Sequence, residues 1–362
     1  MWILHLLAVV SFWLVVLILI LSLILAITAY RLRDKQNHLL YRPNMPPDST
    51  VICDSPADRG YPNSEQVHIR TKDGVTLRGF IMWPCAEEKV PLPRLHKLRM
   101  EQGDQGHDNG QSLPPTNQAY SMTGYSVQPR FVILYFHGNA GNVGHRIPIA
   151  ALLTSQLQCV VLMMDYRGFG HSDSVAPTEE GLRLDAQACL DYLCLHPHIP
   201  SNRIYVMGVS LGGAVAIHLA TQAANVDRIA GVIVENSFTS ISDMSSELAR
   251  TIVSLTFPRY TAFLMFIFYY YLRPLCLYIG WRSIDLVQRV QAPILFLSGL
   301  KDEIVPPVQM QQLFSKASGA KKKKMVVFED GMHNDLPSKV GYIGAIESFV
   351  RDSLLLLADE NV

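Results

Sequence analysis

Gly208-Val209-Ser210-Leu211-Gly212 constrains this chain more tightly than any other stretch, because a G-x-S-x-G pentapeptide acquires meaning only between a strand and a helix. It follows the apolar run Ile204-Tyr205-Val206-Met207 and precedes the small-residue stretch Gly213-Ala214-Val215-Ala216. A strand, sharp turn and helix in that order lift the serine hydroxyl above the end of a sheet. Glycines at 208 and 212 let the chain make the turn without side-chain collision. The helix start supplies N–H donors and a positive dipole end where a reacting carbonyl would lie. Ser210 is expected to be a nucleophile, carried by a sheet-and-helix fold.

From residue 131 onward the pattern alternates accordingly. Strands are expected at Phe131 to Phe136, Cys159 to Asp165, Ile204 to Val209, Ile229 to Glu235, Ile294 to Ser298 and Met325 to Phe328. Helices are expected at Gly144 to Ser155, Thr178 to Leu195, Leu211 to Ala224, Pro307 to Ser315 and Val340 to Leu357. Several strand candidates are unbroken apolar runs, as parallel strands covered on both faces require. Upstream, Lys72-Asp73-Gly74 is a turn signal inside Gln66 to Thr76 and predicts a hairpin. The fold class is therefore α/β: a mostly parallel eight-stranded sheet with helices on both faces, binding its ligand beyond the carboxyl ends of the strands.

A serine nucleophile in this topology needs an acid and a base that follow it in that order. Asp302 lies just past the strand Ile294 to Leu297, and His333 just past Met325 to Phe328, so both fall on the rim that carries Ser210. Glu303 and Glu235 compete for the acid role. The oxyanion donors are expected to be the backbone N–H groups of Leu211 and Asn139, the latter in His137-Gly138-Asn139-Ala140-Gly141-Asn142. Gly138 would let that loop approach the substrate, while His137, which precedes the nucleophile, is read as a loop-shaping hydrogen-bond partner. Asp165 and Arg167, in Asp165-Tyr166-Arg167-Gly168-Phe169-Gly170, are read as organisers of a tight rim turn. Six cysteines form no CxxC pair and no zinc-like Cys/His spacing, so neither metal nor cofactor is expected.

Residues 2–30 contain no Asp, Glu, Lys or Arg, and at about 1.5 Å per residue they can cross a hydrocarbon core of about 30 Å. A cleaved signal peptide would begin with a basic region and have a shorter core, so residues 1–30 are read as a transmembrane anchor. Residues 31–62, with prolines at 43, 46, 47, 56 and 62, are read as a juxtamembrane stalk, and 63–357 as the catalytic domain. Residues 86–129, poor in branched apolar residues, are expected to be a flexible surface insertion. Residues 240–285 are expected to form a cap. Within it Phe263 to Leu272 is strongly apolar, but a second span there would separate Ser210 from Asp302 across the bilayer. This stretch is read as a cap or lid element that lines an apolar pocket or dips into the membrane interface, with an ordinary buried packing helix as the alternative. Lys321 to Lys324 is read as a solvated turn. With 31 basic and 31 acidic residues the chain has no field to attract nucleic acid; its expected partners are the bilayer and an acyl-bearing substrate.

The chain resembles the Bem46-like membrane-anchored α/β-hydrolases over roughly residues 64 to 356. The resemblance is carried by His137 to Arg146, Asp165 to Ser172, Gly208 to Ile217, Ser298 to Pro307 and Gly331 to Asp335. It implies an α/β-hydrolase fold with Ser210, Asp302 and His333 as nucleophile, acid and base. The expected activity is hydrolysis of an acyl ester or thioester, on a lipid or an S-acylated protein, through an acyl-serine intermediate. A catalytically silent membrane scaffold of the same fold is the alternative. The family's type II arrangement puts the domain on the lumenal side. Arg31, Arg33 and Lys35 against Asp34 favour the cytoplasmic side instead, as does the lack of any Asn-x-Ser/Thr acceptor.

Overall fold

The computed structural model describes residues 2–84 and 129–359, so residues 86–128 of the expected insertion lie outside the described residues. A helix α1 (Trp2–Leu40) precedes the hairpin strands β1 (Ser64–Arg70) and β2 (Thr76–Met82). Then follow β3 (Val132–Phe136), α2 (Ile147–Leu157), β4 (Val160–Met164), α3 (Glu179–Leu195), β5 (Ile204–Val209), α4 (Leu211–Ala220) and β6 (Gly231–Glu235). Helices α5 (Ile241–Thr256), α6 (Thr261–Ile267), α7 (Arg273–Cys276) and α8 (Ser283–Leu286) intervene before β7 (Ile294–Gly299). The chain closes with α9 (Pro307–Lys316), β8 (Lys323–Phe328) and α10 (Tyr342–Asp359).

The sheet has eight strands in the order β1-β2-β4-β3-β5-β6-β7-β8. Strand β2 runs antiparallel to both neighbours, and every other neighbouring pair from β4 to β8 is parallel. The parallel strands β3 to β7 are apolar along most of their length because helices cover both faces, with Glu235 and Ser298 reserved for the carboxyl ends of β6 and β7. Val132, Leu134 and Phe136 point to the layer filled by α3, α4 and α9, while Ile133 and Tyr135 point to that filled by α2 and α10. Burying one such Leu or Val fully is worth about 1.5–3 kcal/mol, so the sheet is a rigid platform for the loops at its ends. The register aligns those ends: Phe136 faces Gly208, Val209 faces Glu235, Glu235 faces Leu297, and Gly299 faces Phe328. The loops after β3, β5, β6, β7 and β8 therefore leave from one edge.

One element departs from the sequence reading. Helix α1 does not stop at residue 30 but runs 39 residues, since no Gly or Pro interrupts it before Pro43. Its part His5–Thr28 is long and apolar enough to cross a membrane. The stretch Phe263 to Leu272, inside the expected cap, forms α6 and one wide π-helical turn (Phe268–Leu272) with Met265 buried and Phe263, Phe266, Tyr270 and Tyr271 turned to the outside.

Candidate active site

Ser210 stands between β5 and α4 with φ 53° and ψ −116°, a conformation that costs a non-glycine residue about 1–3 kcal/mol and persists only where the surroundings enforce it. They do. The Ser210 N–H donates to Glu235 O (2.9 Å), and Ser210 O accepts from Ser237 Oγ (2.8 Å) and Gly213 N (3.0 Å). A Cβ at Gly212 would stand 2.0 Å from Phe136 O, and one at Gly208 2.0 Å from Gly212 O, so both pentapeptide glycines are steric requirements. Leu211 is the first residue of α4, and its N–H has no carbonyl one turn back to bond.

Asp302 and His333 meet as a pair. The His333 Nδ1 lies 2.9 Å from Asp302 Oδ1 and 2.7 Å from Oδ2, and both side chains are nearly shut off from solvent. Asp302 Oδ1 also accepts from the N–H groups of Ile304 (2.9 Å) and Val305 (2.7 Å), which fixes the carboxylate before any ligand arrives. Glu303 does not take this place; its Oε2 accepts from the His333 backbone N–H at 3.1 Å. Glu235 is buried at the end of β6 and accepts from Tyr342 Oη at 2.6 Å, and burial pushes its carboxyl from 4.5 up to about 7.

Asn236 is the residue that sequence reasoning missed. Its Nδ2 donates to Met332 O and His333 O, each at 3.0 Å, and its Oδ1 accepts from Gly299 N at 2.9 Å. One side chain thereby joins the turn beside Ser210 to the loops after β7 and β8. Its φ is 42°, in the left-handed region that Asn tolerates better than most residues, and nothing in the sequence around Glu235-Asn236-Ser237 signals these distant contacts.

The loop after β3 lies against the nucleophile: a Cβ on Gly138 would be 3.7 Å from Ser210 Cβ. Asn139 is bonded to the last residue of α1 and to the segment just after it. Its Nδ2 donates to Leu40 O (2.9 Å), and its carbonyl accepts from Arg42 N (2.8 Å). Asn142 Nδ2 holds Ser49 O and Ile52 O at 2.7 Å each. His137 is fully buried, its Nδ1 2.7 Å from Gly138 O, and burial pushes its imidazole down to about 3, so it stays neutral. Asp165 Oδ1 accepts from Val143 N at 2.9 Å, and Arg167 spans Asp73 (2.7 Å) and Asp185 (2.8 Å). These two residues brace the rim and the hairpin turn without bonding to Ser210, Asp302 or His333.

Residues 132–257 match the α/β-hydrolase fold family. The chain is 39% identical over 269 residues to protein Bem46 of Schizosaccharomyces pombe, spanning 74% of this chain and 82% of that protein. The chain belongs to the Bem46-like α/β-hydrolase family. It is also 30% identical over 222 residues to a lysophosphatidylserine lipase of Macaca fascicularis, covering 59% of this chain and 52% of the lipase. Among solved structures the esterase Pf2001 of Pyrococcus furiosus shares the fold, with a TM-score of 0.57 and 17% identity over 86% of this chain and 98% of the esterase. In this family member, the strained serine and the His–Asp pair share one sheet edge.

Proposed function

We propose that this protein is a membrane-anchored serine hydrolase that cleaves an acyl ester or thioester of a lipid or an S-acylated protein. The observation that carries this reading is the His333 Nδ1 contact with both oxygens of Asp302, on the edge where Ser210 stands in its strained turn. With Nδ1 engaged by the carboxylate, Nε2 is the nitrogen left to take the Ser210 proton. Ser210 Oγ attacks the acyl carbon, and the N–H groups of Leu211 and Asn139 hold the resulting oxyanion; one such donor is worth about 10²–10³ in kcat. Collapse breaks the bond to the alcohol or thiol, which leaves with the proton from His333. Water, deprotonated by His333, then attacks the acyl-serine, the acid departs, and Ser210 recovers its proton. The steps balance without a cofactor.

The lipase among the relatives and the apolar anchor support a lipid ester as substrate. We further propose that the catalytic domain faces the cytoplasm, because Arg31, Arg33 and Lys35 directly follow the span. Labelling of membranes with a fluorophosphonate tests the nucleophile: the wild-type chain should label and Ser210→Ala should not. Equal labelling of both removes Ser210 from the chemistry and favours a catalytically silent scaffold.

A further inference from the structure

Between Leu248 and Gly280 the chain contains three arginines, five tyrosines and four phenylalanines, and no Asp or Glu. On α5, Leu248, Ile252 and Leu255 recur at helical spacing on one stripe and are 63%, 54% and 80% exposed. On α6 and the wide turn after it, Phe263, Phe266 and Tyr270 form a second stripe, 63%, 50% and 69% exposed. Helix α6 packs on α5, so the two stripes belong to one cap. Water-facing helices do not ordinarily turn their largest apolar side chains outward twice in succession.

The position of the cap relative to α1 identifies what covers this face. Helix α7 packs against α1, and Gln36 of α1 clasps the cap: its Nε2 donates to Cys276 O, and its Oε1 accepts from Tyr278 N at 3.1 Å. Gln36 lies eight residues beyond Thr28, the end of the apolar span, in the same unbroken helix. That is about 12 Å along the axis, against a headgroup layer of roughly 5–8 Å on each side of the hydrocarbon core. The cap is thus fastened within about 4–7 Å of the headgroup layer, close enough for long Arg and Tyr side chains to reach it. Tyrosines mixed with arginines, without acids, are the side chains that settle in such a layer. Arg273 lies over the Tyr269 ring at 5.2 Å, and Arg250 bonds its hydroxyl at 3.3 Å, so cations and aromatics are interleaved as an interface requires.

We propose that the exposed apolar face of α5 and α6 is a second membrane contact, seated in the leaflet surface from which α1 emerges. The contact follows from the cap and the anchor alone and holds whatever bond the site below cleaves. The full-length protein in vesicles of phosphatidylcholine with a minor share of phosphatidylserine tests it. A small environment-sensitive fluorophore is placed, through an encoded non-natural side chain, at Leu255, Phe263 or Leu195. Leu195 is the control, since it is 84% exposed but ends α3, about 24 Å along that helix from Glu179, which holds Gly280 N and Trp281 N of the cap. Lipids with a quencher on the acyl chain should quench the Leu255 and Phe263 probes several-fold more than the Leu195 probe. Equal quenching at all three positions overturns the proposal. So does probe-to-probe quenching at Leu255 that vanishes on diluting the protein into excess lipid, since that would give the face to a second copy of the chain.

Discussion

At Asp302 one carboxylate oxygen accepts from two backbone N–H groups while both oxygens face the His333 ring. The arrangement makes the charge, rather than the shape, the part that matters: asparagine fills the same space but offers an amide that favours the wrong tautomer of His333. Asp302→Asn is expected to lower kcat on a soluble short-chain ester by about 10⁴ with little change in folding. Turnover within tenfold of wild type would remove Asp302 from the proposed triad. Glu235 gives a different pH signature. Its carboxyl is raised from 4.5 to about 7 in the fold, so the native state holds a proton that the unfolded chain releases in that window. Stability is therefore greatest below the lower value and falls as pH rises toward the upper one, by about 3 kcal/mol for this group. Glu235→Gln keeps an acceptor for Tyr342 and removes the titration. Its denaturant midpoint should fall less steeply than that of wild type between about pH 4.5 and pH 7; identical slopes would place the pH dependence elsewhere, with Asp165, also raised to about 7, the next group to test.

Helix α1 is an element whose importance the sequence conceals. A run without charges reads as an anchor, and nothing in Gln36, Leu40 or Arg42 says that the following turns will reach the loop after β3. The contact joins positions 99 residues apart, and local patterning carries no record of it. The same holds for Asn236, which joins loops 63 and 97 residues away. The strands and the helix after Ser210 were legible because burial on two faces writes an unbroken apolar run. Strand β8 was partly hidden: it begins at Lys323, not Met325, because an edge strand of the sheet can keep lysines in its ladder. The link from α1 to Asn139 yields a graded prediction. Asn139→Ala removes the hydrogen bond to Leu40 but leaves the backbone N–H proposed as the oxyanion donor. Loss of one neutral hydrogen bond costs about 1 kcal/mol, so kcat should fall by roughly tenfold at most, well short of losing a donor outright. A drop of the larger size, measured on the same soluble ester with the fold intact, would show the side chain acting on the substrate itself.

At the scale of the whole molecule, the placement of charge bears on which side of the bilayer the domain occupies. Arg31, Arg33 and Lys35 follow the span with Asp34 as their one acidic neighbour, and the cap adds Arg250, Arg259 and Arg273 without an acid between Leu248 and Gly280. A cap seated at the leaflet surface brings those arginines to the lipids. The cytoplasmic leaflet is the anionic one, and each cation near it gains about 1 kcal/mol. These features act together against the lumenal placement implied by the family resemblance, because reversing the chain would put both the flanking cations and the cap against a less anionic surface. In sealed microsomes, a tag on the carboxyl terminus should therefore be removed by added protease without detergent. A tag protected until detergent opens the vesicles would reverse the topology, leaving the sheet, the His–Asp pair and the Ser210 turn as they are.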